Sequence, residues 1–185
     1  MSVCRIRLIY WLMLVVTSVA GGIAIDLVLQ TASFPLLLRL LGLAGMVLAH
    51  FPLKRTGKLL KLLGDSEKWG CTTRLVTIDL YQCVRHPHHL AIGVFMTSLG
   101  LAIGYPWSFL IITAAQWLWI LGFLYLVEER ECMEKFAADY KAYRQQVPML
   151  MPRITCAFRV LSIPLEVNIA GYHGESSGAG NHGKS

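Results

Sequence analysis

Between Pro87 and Val127 the chain carries no Asp, Glu, Lys or Arg. Soluble domains carry a charge on about a quarter of their residues, so a run this long calls for an apolar surrounding. A helix crosses the hydrocarbon of a bilayer with ~20 mainly apolar residues, because its backbone groups pair internally where water is absent. The run is long enough for two such helices, divided at the turn-forming triplet Gly104-Tyr105-Pro106. Nearer the N-terminus, Leu8 to Leu38 contains one charge, Asp26, and Leu40 to Leu53 contains none. The expected fold is all-α and polytopic, with about four transmembrane helices over roughly 8–28, 35–53, 88–104 and 106–127. A composition of 55% hydrophobic and 15% charged residues, with a mean hydropathy of +0.54, agrees with it.

The first segment follows Arg5 and Arg7 and passes Ala20-Gly21-Gly22, as a cleaved leader would. Its apolar character continues to Leu29, beyond the core of about 7–15 residues usual in leaders, so a retained span is expected. Lys and Arg set the orientation. They precede the first span, fill the connection between the second and third (Lys54, Arg55, Lys58, Lys61, Lys68, Arg74, Arg85) and follow the fourth (Arg130, Lys135, Lys141, Arg144, Arg153). The connections at 29–34 and 104–106 have none. Both termini and the middle loop are therefore expected to face the cytoplasm. Topology and anionic headgroups account for the net charge of +6, and no nucleic-acid partner is expected. The five cysteines form no C-x-x-C pair and lie on or near the cytoplasmic side, so no disulfide framework is expected.

The chain divides into N-terminal transmembrane helices (1–53), a cytoplasmic loop (54–86), a core of helix hairpin plus C-terminal helix (87–153), and an interfacial segment with a disordered tail (154–185). Gly64-Asp65, Gly70 and Thr72-Thr73 suggest irregular structure with short elements in the loop. Gly42 and Gly45, and Gly100 and Gly104, suit close helix packing in lipid. Beyond the fourth span, Cys132, Phe136, Tyr140, Tyr143 and Val147 recur every three or four residues on one helix face, Glu131 and Lys135 pair on another, and Pro148 and Pro152 end the helix. Gly171 to Ser185, rich in Gly, Ser and His, reads as disordered.

Arg85-His86-Pro87-His88-His89 opens the third span. As a plain helix start it puts proline in the first turn, where its missing N–H costs nothing, and makes Arg85 an interfacial anchor. His86 and His89 share a helix face while His88 points away, and no H-x-x-x-H or C-x-x-C completes a ligand set, so no metal is expected. Glu128 and Glu129 end the fourth span. Helices that leave and return over matching lengths bring 86–89 and 128–130 to one membrane level, so Arg85, His86, His89, Glu128, Glu129 and Arg130 are expected to meet there. Two adjacent acids inside a continuing helix lack the usual excuse of an N-terminal dipole and invite a cationic ligand.

Leu75-Val76-Thr77, Val84-Arg85-His86-Pro87, an apolar hairpin, Val127-Glu128-Glu129-Arg130, Phe136-x-x-x-Tyr140-x-x-Tyr143-x-x-x-Val147-Pro148 and Pro152 follow in this order over about residues 75–153. The arrangement resembles the isoprenylcysteine carboxyl methyltransferase and phospholipid methyltransferase superfamily, whose pattern is roughly R-H-P-x-Y, a hairpin, E-E, then F-G-x-x-Y-x-x-Y-x-x-x-V-P. The chain departs from it at His89, usually tyrosine, and at Ala91, Ala137 and Asp79, where glycine is common. A histidine at 89 keeps the ability to hydrogen-bond and to stack.

The resemblance implies S-adenosylmethionine bound between the hairpin and the C-terminal helix, open to the cytoplasm. Glu129 would take the ammonium in a charge-assisted hydrogen bond, Arg85 the carboxylate, and His86 and His89 the ribose or adenine, with Pro87 and Leu90 in the same pocket. The acceptor would be lipophilic and reach the site from the bilayer: first the carboxylate of an isoprenylcysteine-like molecule, oriented by Arg130, or alternatively a phospholipid amine deprotonated by Glu128 or a histidine. Two other readings are an NADPH-dependent sterol reductase-like protein, whose family is normally much longer, and a non-catalytic membrane protein on the same scaffold. No glycine-rich strand–turn–helix loop of a soluble nucleotide fold is present.

Overall fold

The computed structural model describes residues 3–64, 74–166 and Ile169. Its helices are α1 (Val3–Leu29), α2 (Leu36–Leu63), α3 (Pro87–Ile103), α4 (Pro106–Phe123), α5 (Glu129–Gln146) and α6 (Ile154–Leu161). A 3₁₀ turn at Asp79–Gln82 precedes α3, and a π turn at Leu124–Glu128 joins α4 to α5 without a break. Three helical stretches are long and apolar enough to cross a membrane: Arg5–Leu29, Leu36–Leu63 and Pro106–Gln146. Pro87–Ile103 is apolar but shorter, at 17 residues. Leu27, Val28, Leu36 and Leu48 are at least two-thirds exposed, as suits side chains whose solvent is lipid. The tail from Gly171, expected to be disordered, lies outside the described residues.

α2 packs on α3, α3 on α4 and α4 on α1. Small residues set the approach of α2 to α3: a methyl at Gly42 would fall 2.5 Å from the Ala102 backbone nitrogen. Gly104 ends α3 with φ of 85°, a left-handed value that glycine adopts without cost, and Pro106 then starts α4. Thr97 accepts a hydrogen bond from the Trp117 indole across α3 and α4. Asp26, the one charge of its segment, caps α4 from α1. Its carboxylate accepts the Trp107 and Ser108 amides at 3.1 and 2.7 Å and the Ser108 and Thr31 hydroxyls at 2.6 and 2.5 Å. Two of the helix's orphan amide donors are satisfied in trans.

Two expectations need correction. The irregular loop expected from residue 54 is helical as far as Leu63. Lys54, Arg55, Lys58 and Lys61 ended the apolar run without ending the helix, since basic residues have good helix propensity. The cysteines are not all free: Cys83 and Cys156 form a disulfide across 73 residues of sequence. No motif announces this pair, because the 3₁₀ turn and α6 bring it together in a cluster with Leu80 and Val160. Cys132 is a free thiol.

At this end of the bundle Asp79 adopts φ of 59° with 1% of its surface exposed. Its carboxylate grips Arg55 of α2 at 2.7 and 2.9 Å, and Arg55 also donates to the Val160 carbonyl of α6 at 2.9 Å. One buried ion pair thus fastens α2, the 3₁₀ turn and α6 together.

Candidate functional site

The segment 83–86 is held in place by backbone. Pro148 and Pro152 stop α5 from continuing, and the chain beyond runs beside residues 83–86. The Arg85 amide donates to the Pro148 carbonyl at 2.8 Å, the His86 amide to Met149 at 3.3 Å, and the Arg153 amide to Cys83 at 3.1 Å. The Tyr143 hydroxyl donates to the Tyr81 carbonyl at 2.5 Å. Arg85 and His86 are thereby fixed against α5 before any side-chain contact is counted.

Glu129, at the start of α5, is the hub. Arg85 Nη1 reaches both its oxygens, at 2.5 and 2.6 Å, and the Tyr140 hydroxyl donates to Oε1 at 2.6 Å. His86 Nε2 lies 2.9 Å from Oε1, and Arg144 Nε 3.5 Å from Oε2. A carboxylate that is 8% exposed is tolerable only with such partners. Glu128, one residue earlier in the π turn, faces elsewhere: Oε1 lies 3.6 Å from His86 Nδ1, and Oε2 lies 3.3 Å from His89 Nδ1. Burial favours neutral His86, yet the nearby Glu128 carboxylate and the hydrogen bond and charge of Glu129 outweigh it and raise its pKa to about 9. His88 turns to α2, its Nδ1 3.0 Å from the Thr56 hydroxyl.

Two cavities flank this network, and Arg85 lines both. The inner one, about 580 Å³, has Arg85, His86, His89 and Glu128 at its polar end and Trp119, Ile120 and Phe123 along its apolar side. Trp119 stacks on Phe123 with an interplanar angle of 10°, and His89 tilts over the same Phe123 ring with centroids 5.7 Å apart. Arg7 of α1 closes another edge, paired with Glu131 and set 5.4 Å over the Phe123 ring. The outer cavity, about 450 Å³, is lined by Glu129, Arg130, Glu134 and Arg144 with Tyr125, Met133 and Met149. Two buried polar atoms at the inner cavity's polar end lack a hydrogen-bond partner among the described residues: Arg85 Nε and Glu128 Oε2.

Of the residues singled out by sequence, Arg85, His86, His89, Glu128 and Glu129 converge. Arg130 does not join them; it is exposed, lines the outer cavity and pairs with nothing among the described residues. Pro87 and Leu90 line neither cavity. The periodic face of α5 is buried as expected, with Tyr140, Tyr143 and Val147 packed against Leu75 and Phe136, but Tyr140 proves to be a polar partner as well. Glu131 feels the charge of Lys135 as expected, and its hydrogen-bond partner is Arg7, whose basic signal alone suggested topology and no contact. Compared with family models, with curated proteins and with solved structures, the chain matches none.

Proposed function

We propose that this chain is an integral membrane methyltransferase that binds S-adenosylmethionine in the inner cavity and methylates a lipophilic acceptor. The observation that carries the reading is one cavity lined by both a guanidinium, Arg85, and a carboxylate, Glu128, beside the rings of Trp119, Phe123 and His89. An α-amino acid zwitterion presents the complementary pair, a carboxylate and an ammonium. The flat rings of Trp119, Phe123 and His89 suit an adenine farther along the same cavity. This assigns the ammonium to Glu128 in place of Glu129, whose oxygens are engaged by Arg85, His86 and Tyr140. The backbone supports the resemblance too. Asp79 and Ala137, which stand where the superfamily commonly has glycine, have φ of 59° and 42°, values that glycine adopts most readily.

In this reading α3 is a fourth, short span. Its 17 residues cover about 25 Å, and a modest local thinning of the bilayer accommodates it. It would form a hairpin with α4; the basic segments favour a cytoplasmic face for both cavities, whereas the Cys83–Cys156 disulfide beside them is of a kind rare in that compartment. Bound S-adenosylmethionine would supply a methyl group on a sulfonium, ready for in-line displacement. The chain's own part is alignment: Arg85 and Glu128 fix one end of the inner cavity, and the aromatic wall fixes the other. With Glu128 and Glu129 both engaged, an acceptor already ionised is favoured, since it needs no base. Arg130, facing the outer cavity without a partner, suits an isoprenylcysteine-like carboxylate.

Calorimetry on the purified protein in detergent, with S-adenosylmethionine and with NADPH, tests the reading. The methyl donor should bind and NADPH should not, and Glu128→Gln should weaken donor binding more than tenfold. Donor binding that is absent, or indifferent to Glu128→Gln, would sink the proposal; binding of NADPH alone would favour the reductase.

A further inference from the structure

His86, His89 and Glu128 form more than a polar cavity wall. One ligand atom from each lies within 4.8 Å of the others. A divalent ion held at about 2.0–2.2 Å by imidazole nitrogen and carboxylate oxygen requires ligand atoms roughly 3–4 Å apart. The Glu128 oxygens already stand 3.6 Å from His86 Nδ1 and 3.3 Å from His89 Nδ1.

Two further observations point to a ligand. Glu128 Oε2 is buried, makes no hydrogen bond of good geometry among the described residues and has His89 Nδ1 3.3 Å away, a placement in which a cation shared by the two would offset the cost of burying the carboxylate. His86 also has the outer partner that metal-bound histidines have. Its Nε2 is engaged by the Glu129 carboxylate at 2.9 Å, which holds Nε2 as the protonated nitrogen and turns Nδ1 towards Glu128. Glu129 is itself anchored by Arg85 and Tyr140, so that orientation is rigid. Two histidines and one carboxylate are a ligand set for zinc-class ions, leaving a coordination position open to the inner cavity.

We infer that His86, His89 and Glu128 bind a single divalent transition-metal ion of the zinc class through His86 Nδ1, His89 Nδ1 and a Glu128 oxygen. Binding places the ion against Glu128, the residue assigned above to the donor's ammonium. Glu128 thus serves one of the two ligands at a time, and the metal site itself is measured without any donor present.

The test uses the untagged full chain in detergent, stripped with chelator and titrated with Zn²⁺ by calorimetry, with Co²⁺ as a coloured reporter. One equivalent should bind, and Co²⁺ should give a visible band typical of four or five ligands. His89→Ala and Glu128→Ala should each weaken Zn²⁺ binding at least tenfold while the thermal midpoint of the metal-free protein stays measurable. A variant with His50→Ala, His173→Ala and His182→Ala should keep full affinity. Absence of stoichiometric binding, or affinity lost in the triple variant and kept in His89→Ala, means adventitious metal only and overturns the assignment. The methyl-donor reading is judged separately by its own titration, so either can fail alone.

Discussion

Ala137 offers a perturbation whose sign is decided by one backbone angle. Inside α5 it adopts φ of 42° and ψ of −110°, where the helix kinks. Such a conformation costs a residue bearing Cβ about 1–3 kcal/mol, and glycine escapes most of that cost. Glycine in turn loses about 0.5–1 kcal/mol through the greater freedom of its unfolded chain. The balance for Ala137→Gly is a gain of roughly 1 kcal/mol, or about 2–4 °C in thermal midpoint for a chain of this size. Packing does not blur the outcome, because Ala137 is exposed. If α5 ran as an unbroken helix through 137, the same substitution would cost about 1 kcal/mol and lower the midpoint. Thermal unfolding in one detergent, followed by tryptophan fluorescence, separates the two. Ala137→Val should fall below the parent, since a β-branched residue fits a left-handed φ worst. A midpoint that drops with glycine would refute the kink and, with it, the backbone argument for the resemblance.

Three other outcomes follow from the framework around the site. Asp26→Ala strips the acceptor from the Trp107 and Ser108 amides and should cost roughly 2 kcal/mol, read as a midpoint lower by several degrees, with Asp26→Asn intermediate. Asp79→Ala leaves Arg55 buried without its carboxylate and should cost about 3–5 kcal/mol, whereas the double variant Arg55→Met with Asp79→Ala should recover at least half; strict additivity of the Arg55→Met and Asp79→Ala single variants would refute the pairing. Mass spectrometry of the alkylated, unreduced protein should find the peptides of Cys83 and Cys156 linked and Cys132 alkylated, and alkylation of Cys83 without reductant would contradict the bridge.

What the sequence carried was order and level. The uncharged stretch from Pro87 to Val127 fixed two helices and a turn, and equal helix lengths then brought Arg85, His86 and His89 opposite Glu128 and Glu129. The period of Cys132, Phe136, Tyr140, Tyr143 and Val147 gave the buried face of α5. Contacts made by long side chains across helices stayed hidden. Arg7 and Glu131 are 124 residues apart, and a basic residue before a first span reads as a topology signal whichever partner it finds. The Cys83–Cys156 bridge was hidden for a similar reason, since nothing in a lone cysteine names its partner. The end of α2 was missed because hydropathy marks where lipid stops and leaves the helix end unmarked.

The division of labour between the two glutamates depends on something subtler than proximity. Successive residues of an α-helix point about 100° apart, so adjacent acids on a regular helix cannot both face the start of α3 squarely. Here Leu124–Glu128 forms a π turn, which adds a residue to one turn and changes the direction of everything after it. Glu129 is turned onto Arg85, His86 and Tyr140, while Glu128 points past His86 towards His89 and the inner cavity. The hydrogen bonds from Arg85, His86 and Tyr140 make Glu129 the residue that holds the site together, whereas Glu128 meets only histidine nitrogens, at 3.3 and 3.6 Å. On sequence alone the ammonium goes to Glu129; in the function proposed above it goes to Glu128, because a buried acceptor already saturated has little to gain from a ligand and one without a close donor has more of its desolvation cost to recover.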